Sequence, residues 1–79
     1  SGGIKMLVRS QFKERLKELR FEKNVSMAKV QKDTGISANM ISFYERGVSE
    51  PTGEKIIKLA QYFRVTSDYL LGLSNRNEV

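Results

Sequence analysis

An all-α domain of five short helices is the fold class that this 79-residue sequence predicts. Three observations carry it. Apolar residues recur at spacings of three and four along most of the chain, and no run alternates with period two as a strand would. A serine or threonine stands ahead of four of the amphipathic stretches, where its hydroxyl can accept from an orphan amide one turn into a helix. The only proline, Pro51, falls in a loop.

The first helix is expected from about Ser10 to Glu22, with Phe12, Leu16 and Leu19 on one face. Lys13, Glu14, Arg15, Lys17 and Glu18 make the other face a mixed-sign exposed surface, and Asn24 closes the helix. Ser26 caps the second, which turns Val30 inward and runs to about Thr34. Gly35 follows where the chain must bend, because a residue without Cβ takes a positive φ at no steric cost. Ile36 plugs the corner, Ser37 caps the third helix, Ile41 and Tyr44 face inward, and Gly47 ends it. Two capped helices joined by a glycine-containing turn make a helix-turn-helix over Ser26 to Gly47. Thr52 caps the fourth helix, Glu54 favours its dipole, and Ile56, Leu59, Ala60 and Phe63 form its apolar stripe. Val65 turns inward, and Ser67 is expected to cap a last short helix bearing Tyr69, Leu70 and Leu73, with Gly72 near its end.

One small domain is all that this length supports. Residues 10–73 are assigned to it, residues 1–9 to a tag remnant and N-terminal arm, and residues 74–79 to a flexible C-terminal tail. Met6 is the expected natural start. With no cysteine and no histidine, the commonest general base, the commonest metal ligand and the Ser/Cys–His nucleophile pairs are all absent. No catalytic residues, metal or cofactor are therefore expected, and the chain is read as a non-enzyme. No run of about 18 apolar residues offers a membrane span, and no signal peptide is visible, so a cytoplasmic location is expected. Residues 1–34 carry nine Lys/Arg against four Asp/Glu, whereas residues 35–79 carry five of each. The net +5 therefore belongs to the first half. It suits an acidic partner such as DNA, or it is the solvated, ion-paired outer face of the first helix.

The pieces FKERLKELR (Phe12 to Arg20), TGIS (Thr34 to Ser37), ISFYERG (Ile41 to Gly47) and SDYLLG (Ser67 to Gly72) stand in order without a large insertion. Over roughly residues 10 to 73 the sequence resembles the Cro/CI-type, or XRE, helix-turn-helix family of phage repressors and their bacterial relatives. The resemblance implies a lambda-repressor-like fold in which the helix opened by Ser37 enters the major groove. It also implies that Ala38, Asn39, Ser42 and Phe43 face base edges with Met40 nearby, and that Ser26 and Met27 anchor a phosphate. Ser37, and Arg46 and Ser49 in the region after the recognition helix, complete the expected backbone contacts. Arg20 and Glu45 would form a structural ion pair. Leu70, Leu71 and Leu73 would supply a dimer seam, the alternative being a last helix folded back onto the first.

Each base-reading position also has a plainer reading. Asn39 can pair bidentately with adenine, or it is a solvated surface residue. Ala38 meets a thymine methyl, or it is only a good helix former. Met40 and Phe43 are expected to point outward, because Ile41 and Tyr44 already occupy the inward face, and exposed apolar groups there imply contact with DNA or with another protein. Ser42 reaches phosphate or base, or it is ordinary surface. Three departures from the family pattern stand out. Met27 replaces a frequent glutamine, Gln31 replaces a small residue where the two helices approach, and Glu50 sits in a loop that is frequently basic. Together they predict weak non-specific binding and a shallow salt dependence.

Two functions follow. The first is a sequence-specific double-stranded DNA-binding transcriptional regulator, a repressor that binds an inverted repeat as a homodimer, at least on DNA. A stand-alone repressor and the DNA-binding part of a longer one both fit. The second is an antirepressor or antitoxin type of module that binds a protein partner through the apolar face of Met27, Met40 and Phe43.

Overall fold

The computed structural model describes residues 2–75, with side chains from Gln11 onward. Ser1 and residues 76–79, which include most of the expected tail, lie outside the described residues. Five α-helices follow one another: α1 Gly2–Glu22, α2 Met27–Thr34, α3 Ala38–Arg46, α4 Gly53–Phe63 and α5 Ser67–Leu71. No strand occurs among the described residues. Helix α1 begins well ahead of the expected Ser10 start. Ile4, Leu7 and Val8 continue the helical apolar spacing ahead of Phe12, and no proline interrupts them, so the earlier start obeys the same periodicity.

One core gathers every helix. Phe12, Leu16 and Leu19 of α1 meet Val30 of α2, Ile41 and Tyr44 of α3, and Leu59, Ala60 and Phe63 of α4, together with Ile36, Val65 and Leu70. The Phe12 and Tyr44 rings meet edge-on at 5.6 Å between centroids, which locks α1 to α3. Ile56, expected on the inward stripe of α4, is only half-buried at the rim of this core.

The helix ends are set by the polar residues between them. Asn24 takes a left-handed backbone at φ 57°, and the Val25 amide bonds back to Arg20 O at 3.0 Å, which closes α1. The Ser26, Ser37 and Thr52 hydroxyls accept from the amides of Lys29, Met40 and Lys55. The last cap is one residue earlier than expected. Thr66, not Ser67, has the extended backbone, and its hydroxyl accepts from the Tyr69 amide at 3.0 Å. Both residue types cap well, so adjacency alone left the choice open.

Helix α5 folds back onto α1, which decides among the leucines. Leu70 is fully buried in the core, Leu71 is half-buried, and Leu73 is exposed. Leu70 is thus a core residue and unavailable to a dimer seam. Arg15, expected on a solvated face, spans the same junction. Its guanidinium lies 4.0 Å from the Tyr69 ring centroid and donates to Ser74 O and Asn75 Oδ1, both at 3.3 Å.

Candidate nucleic-acid interface

The segment from Ser26 to Gly47 is stitched together by local polar groups. Ser26 opens α2; by helix geometry the Met27 and Ala28 amides that follow have no intrahelical partner. At the far end Thr34 donates its hydroxyl to Val30 O at 2.7 Å and accepts from the Ile36 amide at 3.1 Å. The Gly35 amide donates to Gln31 O at 2.8 Å, with Gly35 at φ 82°. Buried Ile36 fills the corner beneath. The Gln31 side chain then crosses the turn, and its Oε1 accepts from the Ala38 amide at 2.8 Å. The crowding expected of Gln31 is relieved in this way: the longer side chain caps the next helix instead of wedging the two apart.

Helix α3 turns Ile41 and Tyr44 into the core and presents its other side outward. Burial of the Tyr44 phenol pushes its pKa up. Asn39 is exposed on the first turn, while Ala38 and Ser42 are half-buried beside it. Phe43 is exposed at 37 %, and the Arg46 guanidinium sits 5.2 Å from its ring centroid. Met40 differs from expectation, since it is half-buried and packs against the core, and Met27 does the same. A thioether side chain is flexible enough to fill the margin of a small core. The outward apolar face therefore reduces to Phe43. In the following loop Ser49 is half-buried and Val48 is exposed.

An ion pair fixes the far end of α3. Arg20 donates from Nε to Glu45 Oε2 at 2.6 Å and from Nη2 to Glu45 Oε1 at 2.9 Å, a bidentate arrangement. Its Nη1 also donates to Val25 O at 3.2 Å. One guanidinium thus joins the end of α1, the loop before α2 and the end of α3. Its pKa is raised, chiefly by the hydrogen bond to Glu45, against the opposing effect of burial. Glu45 is 6 % exposed, so this carboxylate is spent on structure.

A second polar tie braces α2 from behind. The Tyr62 hydroxyl of α4 donates to Asp33 Oδ2 at 2.6 Å, and Lys29 pairs with Asp33 at 3.4 Å. The hydrogen bond pushes the Tyr62 pKa to about 12 and, together with Lys29, holds the Asp33 carboxyl below its ordinary range. The basic face of α1 is less one-sided than its composition. Between α1 and the end of α3 a shallow cavity of about 460 Å³ is lined by Lys13, Lys17 and Arg46 against Glu14, Glu18 and Glu45. Among the described residues no group of three His, Cys, Asp or Glu could hold a metal ion, and no helix is long and apolar enough to cross a membrane.

Residues 16–70 match the family model described as helix-turn-helix, which spans all of α2, α3 and α4 and most of the core. The chain belongs to the XRE-type helix-turn-helix family. Helix α3 is the second helix of the helix-turn-helix unit over Ser26 to Gly47, and its caps and buried residues are those described above. Two curated relatives from Bacillus subtilis (strain 168) are similar to it. The HTH-type transcriptional regulator ImmR is 34 % identical over 68 residues, covering 82 % of this chain and 54 % of the relative. The uncharacterized HTH-type transcriptional regulator YobD is 31 % identical over 62 residues, covering 78 % and 55 %. The chain thus spans about half the length of the curated relatives it matches. No solved structure gives a significant match.

Signals for the unforeseen residues were weak. Gln31 and Ala38 are seven positions apart across a turn, and Asp33 and Tyr62 lie on helices separated by another element. The turn at Gly35 breaks the helical period between the first two, and no local period reaches across the second pair.

Proposed function

We propose that this helix-turn-helix domain is a sequence-specific, double-stranded DNA-binding transcriptional regulator that reads base edges with α3. The observation that carries the reading is Asn39. It stands exposed on the first turn of a helix whose start is capped by Ser37 and Gln31 and whose end is held by the Arg20–Glu45 pair. An asparagine held rigidly at that position can pair with adenine N6 and N7. Ala38 and Ser42 flank it, and Phe43 offers its ring edge to sugars or thymine methyls. In this reading the Met27 and Ala28 amides and the Arg46 guanidinium meet phosphates on either side. Both Bacillus subtilis relatives are named transcriptional regulators, which supports the same reading.

In this proposal the protein represses by occupying an inverted repeat as a homodimer. Leu73 and half-buried Leu71 are the remaining seam residues, now that Leu70 is assigned to the core. The protein-partner reading has lost two of its three supports, because Met27 and Met40 pack inward. The balanced charges between α1 and α3 favour a shallow salt dependence. Selection from a random duplex pool at two salt concentrations tests the whole reading. Enrichment of a palindrome with half-sites about one helical turn apart is the expected result. Recovery of unenriched duplex would sink it and turn attention to a protein bound through Phe43.

A further inference from the structure

Gln31 supplies acceptors to both sides of the turn. Its backbone carbonyl takes the Gly35 amide at 2.8 Å and ends α2, and its side-chain oxygen takes the Ala38 amide at 2.8 Å and begins α3. Ser37 caps α3 as well, but from within the turn itself, so it cannot transmit the position of α2. Gln31 can, because its side chain is rooted on the α2 backbone. Its exposure means that no packing role competes for the side chain. The bonded amide belongs to Ala38, the neighbour of Asn39, so displacement of this point tilts the first turn where base reading is proposed.

We propose that Gln31 is a positioning residue for sequence recognition, coupling α2 to the first turn of α3 so that an anchor on α2 fixes the depth and tilt of Asn39. The inference rests on the DNA-binding reading above. It assigns Gln31 no contact with bases. Because the Ala38 amide is satisfied internally, it is withheld from phosphate, and the anchoring amides are those of α2.

The test compares the whole chain with Gln31→Met, which keeps the length but removes the acceptor, and Gln31→Glu, which keeps an acceptor. Affinity is measured for the pool-selected duplex and a scrambled duplex, alongside hydrogen exchange of the Ala38 amide. Gln31→Met should lower the selected-to-scrambled affinity ratio by about three- to tenfold, the size of one modest hydrogen bond, with scrambled binding unchanged. Its Ala38 amide should exchange faster. In Gln31→Glu repulsion from phosphate weakens both duplexes alike, so the ratio and the Ala38 protection should stay within twofold of the parent. An unchanged ratio in Gln31→Met, or an equal loss on both duplexes, overturns the positioning role and leaves DNA reading intact. A parent chain that discriminates no duplex overturns the DNA reading and this proposal with it.

Discussion

Where α5 meets α1, Leu70 is fully buried and Gly72 lies so close to Gln11 that a Cβ would overlap its side chain. Where α2 meets α3, by contrast, the turn is held by hydrogen bonds from Thr34, Gln31 and Ser37 that are exposed or only partly buried. The first junction excludes water and resists change through close packing. The second keeps its outer face wet and fixes geometry through directional bonds, each worth little to stability. A domain that must press one helix against a ligand can divide its labour in this way: apolar packing keeps the chain folded, and polar caps aim the helix. Substitutions in the two regions should accordingly fail differently.

The largest expected effect falls where the two regions meet. Arg20→Ala leaves the Glu45 carboxylate buried with no partner and should cost about 3 kcal/mol of stability. Replacing both residues, Arg20→Met with Glu45→Leu, should recover most of that loss in denaturant melts, because breaking a buried pair costs more than exchanging it for apolar groups. A double variant as unstable as the single one would mean that the pair is needed for folding itself. Next comes Gly72→Ala. The residue has φ 82°, and the added Cβ would stand 2.6 Å from Gln11 Cγ and still closer to Gln11 Cβ, which cannot swing away. A loss of about 2 kcal/mol, seen as a lower melting temperature, is expected from strain and overlap together. A neutral result would show that the α1–α5 contact is looser than its geometry.

Asn39→Ala should behave in the opposite manner. Stability should change by less than about 0.5 kcal/mol, as for other exposed helix positions. Preference at one base pair of the selected duplex should fall by about 1–3 kcal/mol. Equal loss at every base pair would reassign Asn39 to the backbone and blur the division between the two junctions.

The packed region is the one that sequence periodicity describes well, and particular residues show why. Phe12, Leu16 and Leu19 are spaced to share one face, and that face is buried. Periodicity could not choose among Leu70, Leu71 and Leu73, because the rotation of α5 depends on the Thr66 cap and on Gly72 against Gln11, both matters of tertiary approach. The outward placement of Met40 was inferred by elimination, and it failed because a long thioether beside Ile41 and Tyr44 can fold back over the core margin. At the candidate site, Ser26, Ser37, Gly35 and the Arg20–Glu45 geometry all follow from local chemistry or from the family resemblance. Gln31 and Arg15 do not, since each acts on a partner outside its own helix.

Tyr62 and Asp33 provide the smallest effect and the finest test of the polar side of the comparison, since their bond braces α2 from the back. The Tyr62 pKa is raised to about 12 in the folded chain, so the stability it lends is fully present below its ordinary value near 10 and is lost as pH rises towards 12. The Asp33 pKa is depressed, so at the acid end the same bond is present above the ordinary carboxylate value of 3.8 and weakens as pH falls below it. Tyr62→Phe should therefore melt slightly below the parent between about pH 6 and pH 9, with the gap closing above pH 10 and again in acid. The parent should also show one phenol titrating near pH 12 that the variant lacks, readable from tyrosine absorbance. A gap that stays constant across the whole pH range would mean that the hydroxyl does not act through its bond to the ionised Asp33 carboxylate. The polar brace behind α2 would then fall away, and the contrast between the two junctions would narrow to the turn and its caps.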